Sequence, residues 1–239
     1  MTIIDKYKQL SKNILISLHA CSEHIFCIAN TDKNSKYKYF NKLLFESFKN
    51  IESVLTSINL VAYSQATALL RKTIEQFAIV KTLFNHQSAL DEYNKYSKVR
   101  LLKAINDPSA DDLIAELTQG KNIEQKYLNS YLDYGWINKI TTKRPCIDTI
   151  LMLADIEDIK EWRNHCNNFV HNNLSYLSFD NDTVSYQIKT IIYFCAFMYD
   201  HLIHIIHKTT GFDFIINGTN YALLHKDLLK DIGKSRGAK

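Results

Sequence analysis

At 239 residues, 46% apolar and with a formal charge of +4, the chain is long enough for a continuous core and too apolar for general disorder. Two prolines and six glycines are too few for a strand-and-turn architecture, and five cysteines (Cys21, Cys27, Cys146, Cys166, Cys195) without a C-x-x-C argue against a disulfide framework. The mild positive charge permits contact with nucleic acid or an anionic surface without arguing for either.

In chain order, the N-terminus "MTIIDKYKQLSKN" is amphipathic and mixed in charge, so no export signal is expected. Ile3, Ile4, Tyr7, Leu10, Ile14, Leu15, Leu18 and Cys21 recur at helical spacing and predict a first helix to about Ala29. The segment "NTDKNSKYKY" reads as a polar connector. A second helix is expected from about Lys38 to Ile58, with Phe40, Leu43, Leu44, Phe48, Ile51, Val54, Leu55 and Ile58 inward. The third, from about Val61 to Asn85, is apolar nearly all round and therefore central.

A fourth helix spans Ala89 to about Asn106 and stops at "NDPSADD", where Pro108 and the acidic cluster mark a turn and a helix start. Asp111 to Ile140 reads as shorter helices interrupted at Gly120 and Gly135, and Pro145 marks another break. Cys146–Asp155 and Ile156 to about Asn172 follow as helices. "SFDNDT" is expected as a loop and Val184–Lys208 as a long helix. Its run "IIYFCAFMYDHLIHII" is broken by Asp200, His201 and His204, which suits a buried bundle helix better than a membrane span of ~20 uncharged residues. A short helix at about Tyr221–Asp231 precedes the tail "GKSRGAK". The expected fold class is all-α: a multi-helix bundle over 1–210, with a C-terminal extension over 211–239 carrying a short helix and a mobile basic tail.

Chemistry concentrates in Glu161 to Asn173, "EWRNHCNNFVHNN". On a helix, Asn167 and Asn164 fall on the same face as His171, while His165 and Asn168 share a neighbouring stripe. Arg163 lies eight before His171 and is rotated from it by roughly 80° at 3.6 residues per turn. An arginine and a histidine so placed can share a phosphate, one holding it and the other moving a proton. The plainer alternative is a polar helix end whose side chains cap backbone, and residue types alone favour it.

Arg71 and Glu75 stand one turn apart in the otherwise apolar third helix. They form either an ion pair on an exposed stripe or half of a cleft shared with His171, Glu75 orienting the arginine. His201, His204 and His207 run at steps of three, without the spacing or glutamate of an H-E-x-x-H zinc helix, and read as fillers of a packed face. No metal or other cofactor is expected. "DKNSKYKYFNK" could grip single-stranded RNA, though its aromatics suit a core-facing helix start better. Phosphate-loop, dinucleotide and serine-hydrolase motifs are absent from the sequence.

The segments "ATALLRKTIEQFAIVKTLF", "YLDYGWINKI" and "IDTILMLADIEDIKEWRNHCNNFVHNNL", in that order, resemble a family of bacterial all-helical proteins found on mobile elements. The matching positions are Arg71 and Glu75, then Tyr134, Gly135 and Trp136, then His171. That family is similar to the HEPN superfamily of helical bundles, many of which are metal-independent endoribonucleases of toxin–antitoxin, abortive-infection and CRISPR systems. The resemblance implies a cytoplasmic homodimer acting on RNA, with a protein partner or antitoxin and no membrane. It implies His171 as general acid/base, with Arg163 or Arg71 on the phosphate and Asn164 and Asn168 positioning. Seven residues separate Arg163 from His171 here, one more than the superfamily's usual four to six. That spacing also leaves open a non-catalytic module that recognises a nucleotide, RNA or protein.

Overall fold

The computed structural model describes residues 3–30, 37–119, 121, 123–170, 181–211, 215–216 and 219–220. Among these, the chain is an all-α multi-helix bundle. Its helices are α1 (Ile3–Asn30), α2 (Lys38–Asn59), α3 (Tyr63–Asn85), α4 (Leu90–Ala104), α5 (Ser109–Thr118), α6 (Leu128–Tyr134), α7 (Ile147–Leu153), α8 (Ile159–Val170) and α9 (Asn181–Thr210). Single 3₁₀ turns occupy Gln87–Ala89, Gln125–Tyr127 and Gly135–Lys139. A small antiparallel hairpin pairs β1 (Ile215–Ile216) with β2 (Thr219–Asn220), which the helical pattern does not foresee. The helix expected at Tyr221–Asp231 and the basic tail lie outside the described residues.

Packing divides the chain into two compact units. The first comprises 1–28, 44–77 and 161–239, and the second 29–43 and 78–160, so α2 and α3 each contribute one end to each unit. In the first unit, Ile14, Leu18, Cys21 and Ile25 of α1 are buried together with Phe48, Ile51, Val54, Leu55 and Ile58 of α2. Ser17 Oγ and Tyr199 Oη lie 2.7 Å apart, joining α1 to α9, and Tyr199 stands edge-on to Phe48 at 5.7 Å. α9 is long and apolar enough to meet the length criterion for a membrane span, but its apolar stretch is mostly buried in the bundle. That burial is what its broken apolar run predicts.

The second unit is built around Trp136, which is fully buried and stands edge-on to Tyr93 at 5.3 Å. Thr82 and Asn85 of α3 donate hydrogen bonds to the carbonyls of Ile150 and Ala154, tying α3 to α7. At the start of α5, the Asp107 carboxylate accepts hydrogen bonds from the backbone N–H and hydroxyl of Ser109 at 2.9 and 2.6 Å. Those two donors hold its carboxyl below the ordinary aspartate range, and Asp111 and Asp112 suit the positive end of the helix dipole.

The starts of α8, α9 and α3 differ from the sequence expectation. α8 begins at Ile159 and not Ile156, because Asp155 (φ 52°) and Asp158 (φ 60°) turn into the left-handed region and interrupt the helix. α9 takes in Asn181–Thr183, the end of the expected "SFDNDT" loop. α3 begins at Tyr63 and not Val61, since Val61 adopts φ 62° in the turn closing α2.

Val61 is a β-branched residue where glycine is usual, and it is 56% exposed. The left-handed conformation costs a non-glycine residue roughly 1–2 kcal/mol, and glycine's extra chain entropy returns about half of that. Val61→Gly is therefore expected to stabilise the protein by about 0.5–1 kcal/mol, seen as a higher urea midpoint with unchanged slope. A lower midpoint would show that the valine side chain contributes packing that outweighs its strain.

Candidate functional site

The first unit brings together three of the residues singled out by sequence. Glu75, on α3, accepts a hydrogen bond through Oε1 from Arg163 Nε of α8 at 2.6 Å. The same oxygen lies 3.4 Å from Arg71 Nε, one turn earlier on α3. The side chains of Arg163, Glu75 and Arg71 are 14%, 23% and 28% exposed, so the triad is sheltered but not sealed. One carboxylate between two guanidinium groups leaves a surplus positive charge. Each arginine reaches the carboxylate through Nε, so its terminal amino groups are not needed for these contacts.

The local sequence explains why Arg163 points inward. Ile159 and Cys166 are buried at 2% and 0% exposure, and their i, i+7 spacing with Arg163 at i+4 places all three on one stripe of α8. Neighbouring Trp162 stacks on Phe194 at a centroid distance of 4.2 Å and stands edge-on to Phe197 at 5.1 Å, clamping α8 to α9. Beside the triad on α3, Gln76 donates to Glu46 Oε2 at 3.1 Å and accepts from Asn50 Nδ2, which ties α3 to α2. The scaffold that carries Glu75 is thus fixed from two sides.

Cys166 sits within the field of the triad. Burial pushes its thiol up to about 12, with Arg71 pulling down and Glu75 pushing up. Burial also raises the thiol of Cys195. Both are therefore protonated, weakly nucleophilic thiols at neutral pH, and the arginines are the chemically available groups.

The other named residues fall differently. Asn164 is exposed and joins no part of the triad, while His165 is half-buried, with desolvation lowering its pKa. Asn167 is half-buried, and its Oδ1 is closed off from solvent without a hydrogen-bond partner among the described residues. His171 and the side chain of Asn168 lie outside the described residues.

His201 packs on Phe197 at 4.4 Å and near Phe77 at 6.0 Å, whereas His204 and His207 are exposed. No group of three or more histidine, cysteine, aspartate or glutamate side chains suited to a metal occurs among the described residues. In the basic-aromatic stretch, Phe40 is buried at 1% exposure and Tyr37 lies 6.4 Å from it, so these two rings serve packing.

In the second unit, the Tyr-Gly-Trp positions organise a packed centre. A Cβ on Gly135 would stand 2.7 Å from Tyr96 Cε1, so only glycine allows the tyrosine this close. The Tyr96 hydroxyl donates to Tyr131 Oη at 2.7 Å, and Lys121 Nζ donates to that same oxygen. Burial raises the Tyr96 phenol well above the ordinary range, and the hydrogen bond and proximity of Tyr131 add to the shift.

On sequence alone Arg71 pairs with Glu75 and Arg163 is a candidate to share a phosphate with His171; the Arg163–Glu75 bond, spanning 88 residues, is not among those expectations. The available signal was the apolar stripe through Ile159 and Cys166. No family model, curated protein or solved structure matches this chain.

Proposed function

We propose that this chain is a HEPN-like, metal-independent endoribonuclease that works in the cytoplasm as a homodimer in phage defence or a toxin–antitoxin system. The observation supporting this reading is the Arg71–Glu75–Arg163 triad, two guanidinium groups set by one carboxylate with a surplus positive charge. Such an arrangement suits a phosphodiester, because preorganised cations stabilise the charge that develops on phosphate without reorganising. His171 follows Arg163 on the same stretch of sequence. It would take the ribose 2′-hydroxyl proton or protonate the leaving oxygen, while Arg71 or Arg163 carries the phosphate charge.

The purified chain is expected to cleave single-stranded RNA in the presence of EDTA. His171→Ala should lower the rate by roughly 10²–10⁴-fold, the usual contribution of a general acid/base, with the fold intact by circular dichroism. Full cleavage by His171→Ala would exclude this mechanism.

A second reading is a binding or assembly module without catalysis. It is favoured by the short Arg163–Glu75 contact, since a carboxylate already holding the guanidinium competes with substrate. Under that reading RNA is retained by the wild type and released by Arg71→Ala, with no cleavage by either.

A further inference from the structure

A cavity in the second unit has no place in that chemistry. It has a volume of about 450 Å³ and is lined by Ile123, Glu124, Tyr127, Ser130, Tyr131, Arg144 and Pro145. That size lies within the range of small-molecule pockets, which combine apolar and aromatic walls with a few polar groups. The residues follow α5, come from α6 and the turn before it, and precede α7, all within one unit.

Its charges do not cancel. Glu124, the acidic group in the lining, is paired with Lys126 at 2.7 Å, and the Lys126 ammonium also sits 4.9 Å above the Tyr127 ring. Arg144 has no ion pair among the described residues; its backbone carbonyl accepts from Thr149, and its guanidinium is exposed. Lys121 is held at the Tyr131 hydroxyl by a neutral phenol, not by a carboxylate. Arg144, a cation without a counter-charge among the described residues, therefore lines a cavity whose wall contains two tyrosine rings and the Ser130 hydroxyl.

The Tyr131 hydroxyl is fixed from several directions. It accepts from Tyr96 and Lys121 and donates to the Leu117 carbonyl at 3.4 Å. The wall is thus preorganised, which reduces the ordering cost of binding. Tyr127, by contrast, is 47% exposed, an aromatic surface that a flat ring can cover.

We infer that this cavity binds a small planar aromatic anion, its ring against Tyr127 and its carboxylate or phosphate on Arg144. The assignment does not depend on the RNA-cleaving reading, because all of its residues belong to the second unit. Four probes separate its parts: 1-naphthoate (aromatic carboxylate), adenosine 5′-monophosphate (aromatic phosphate), 1-naphthalenemethanol (neutral ring) and inorganic phosphate (anion without a ring).

Isothermal titration of the full chain is expected to give a Kd below about 1 mM for at least one aromatic anion, and which one binds identifies the oxyanion. The neutral ring and inorganic phosphate are expected to bind about tenfold or more weakly. Arg144→Gln and Tyr127→Ala should each weaken the aromatic anion by about tenfold, as loss of a charge-assisted hydrogen bond or a ring contact predicts. Both side chains are exposed, so the variants keep the fold, checked by an unchanged melting temperature. Binding of the neutral ring as tight as the anion, indifference to either substitution, or no sub-millimolar binding of either aromatic anion would overturn the assignment.

Discussion

Gly135→Ala is expected to destabilise the protein by about 3 kcal/mol, the upper end for forcing extra volume into a packed core. The new methyl would meet Tyr96 Cε1 at 2.7 Å, the Tyr96 hydroxyl at 2.9 Å and Tyr131 Cε2 at 3.0 Å. None of these atoms can yield cheaply. Tyr96 is 1% exposed, its hydroxyl is bound to Tyr131, and Tyr131 is held in turn by Lys121 and packed against Tyr96 with ring centroids 5.7 Å apart. Turning the Tyr96 ring aside would also forfeit a buried hydrogen bond worth about 1 kcal/mol.

The φ of Gly135 is −60°, so the requirement for glycine here is one of space, not of backbone conformation. For a chain of this length, 3 kcal/mol corresponds to a fall of roughly 6–12 °C in melting temperature. A second variant locates the clash. Tyr96→Phe in the alanine background removes the contact at 2.9 Å but leaves the one at 2.7 Å, so it should restore only a minor part of the loss. A cost below about 0.5 kcal/mol for Gly135→Ala, within the range of ordinary surface changes, would mean that Tyr96 is free to move.

This glycine shows where sequence reading succeeded and where it stopped. The breaks at Gly135 and Pro145, the turn at Pro108 and the inward faces of α1 and α2 follow from local pattern, because helical periodicity and stop signals act over a few residues. Ile14, Leu18, Cys21, Phe40, Leu44, Phe48, Ile51, Val54 and Leu55 are buried as their spacing requires. That Gly135 makes room for Tyr96 could not be read, since the partner lies on another helix and no period connects them. The Arg163–Glu75 bond was hidden for the same reason. On sequence alone Arg163 is set against His171, eight residues on, whereas the buried neighbours Ile159 and Cys166 mark the stripe facing the core. Val61 was hidden differently: a valine at φ 62° contradicts local preference, and only the surrounding turn imposes it.

Glu75→Ala is the substitution that tests stability and chemistry together. It leaves the guanidinium of Arg163, 14% exposed, without its carboxylate partner and removes the counter-charge of Arg71. Breaking a fully buried pair costs roughly 3–5 kcal/mol; with these side chains 14–28% exposed, solvent screening lowers the expectation to about 2 kcal/mol. Adding Arg163→Met should recover much of that loss, because removing both charges restores an apolar contact of similar size.

The vacated position between the two arginines then becomes a direct assay of what they hold. If the pair is built to take a phosphoryl group, inorganic phosphate should replace the missing carboxylate and raise the melting temperature of Glu75→Ala well beyond its effect on the wild type. A phosphate concentration of about ten times Kd would return roughly 1.4 kcal/mol by mass action. Sodium chloride at equal ionic strength screens the two like charges without bridging them, so it should return only a fraction of this. Equal rescue by chloride and phosphate would show that the arginines are fixed for packing alone. Selective rescue by phosphate would identify Glu75 as the group that a substrate phosphate displaces or joins.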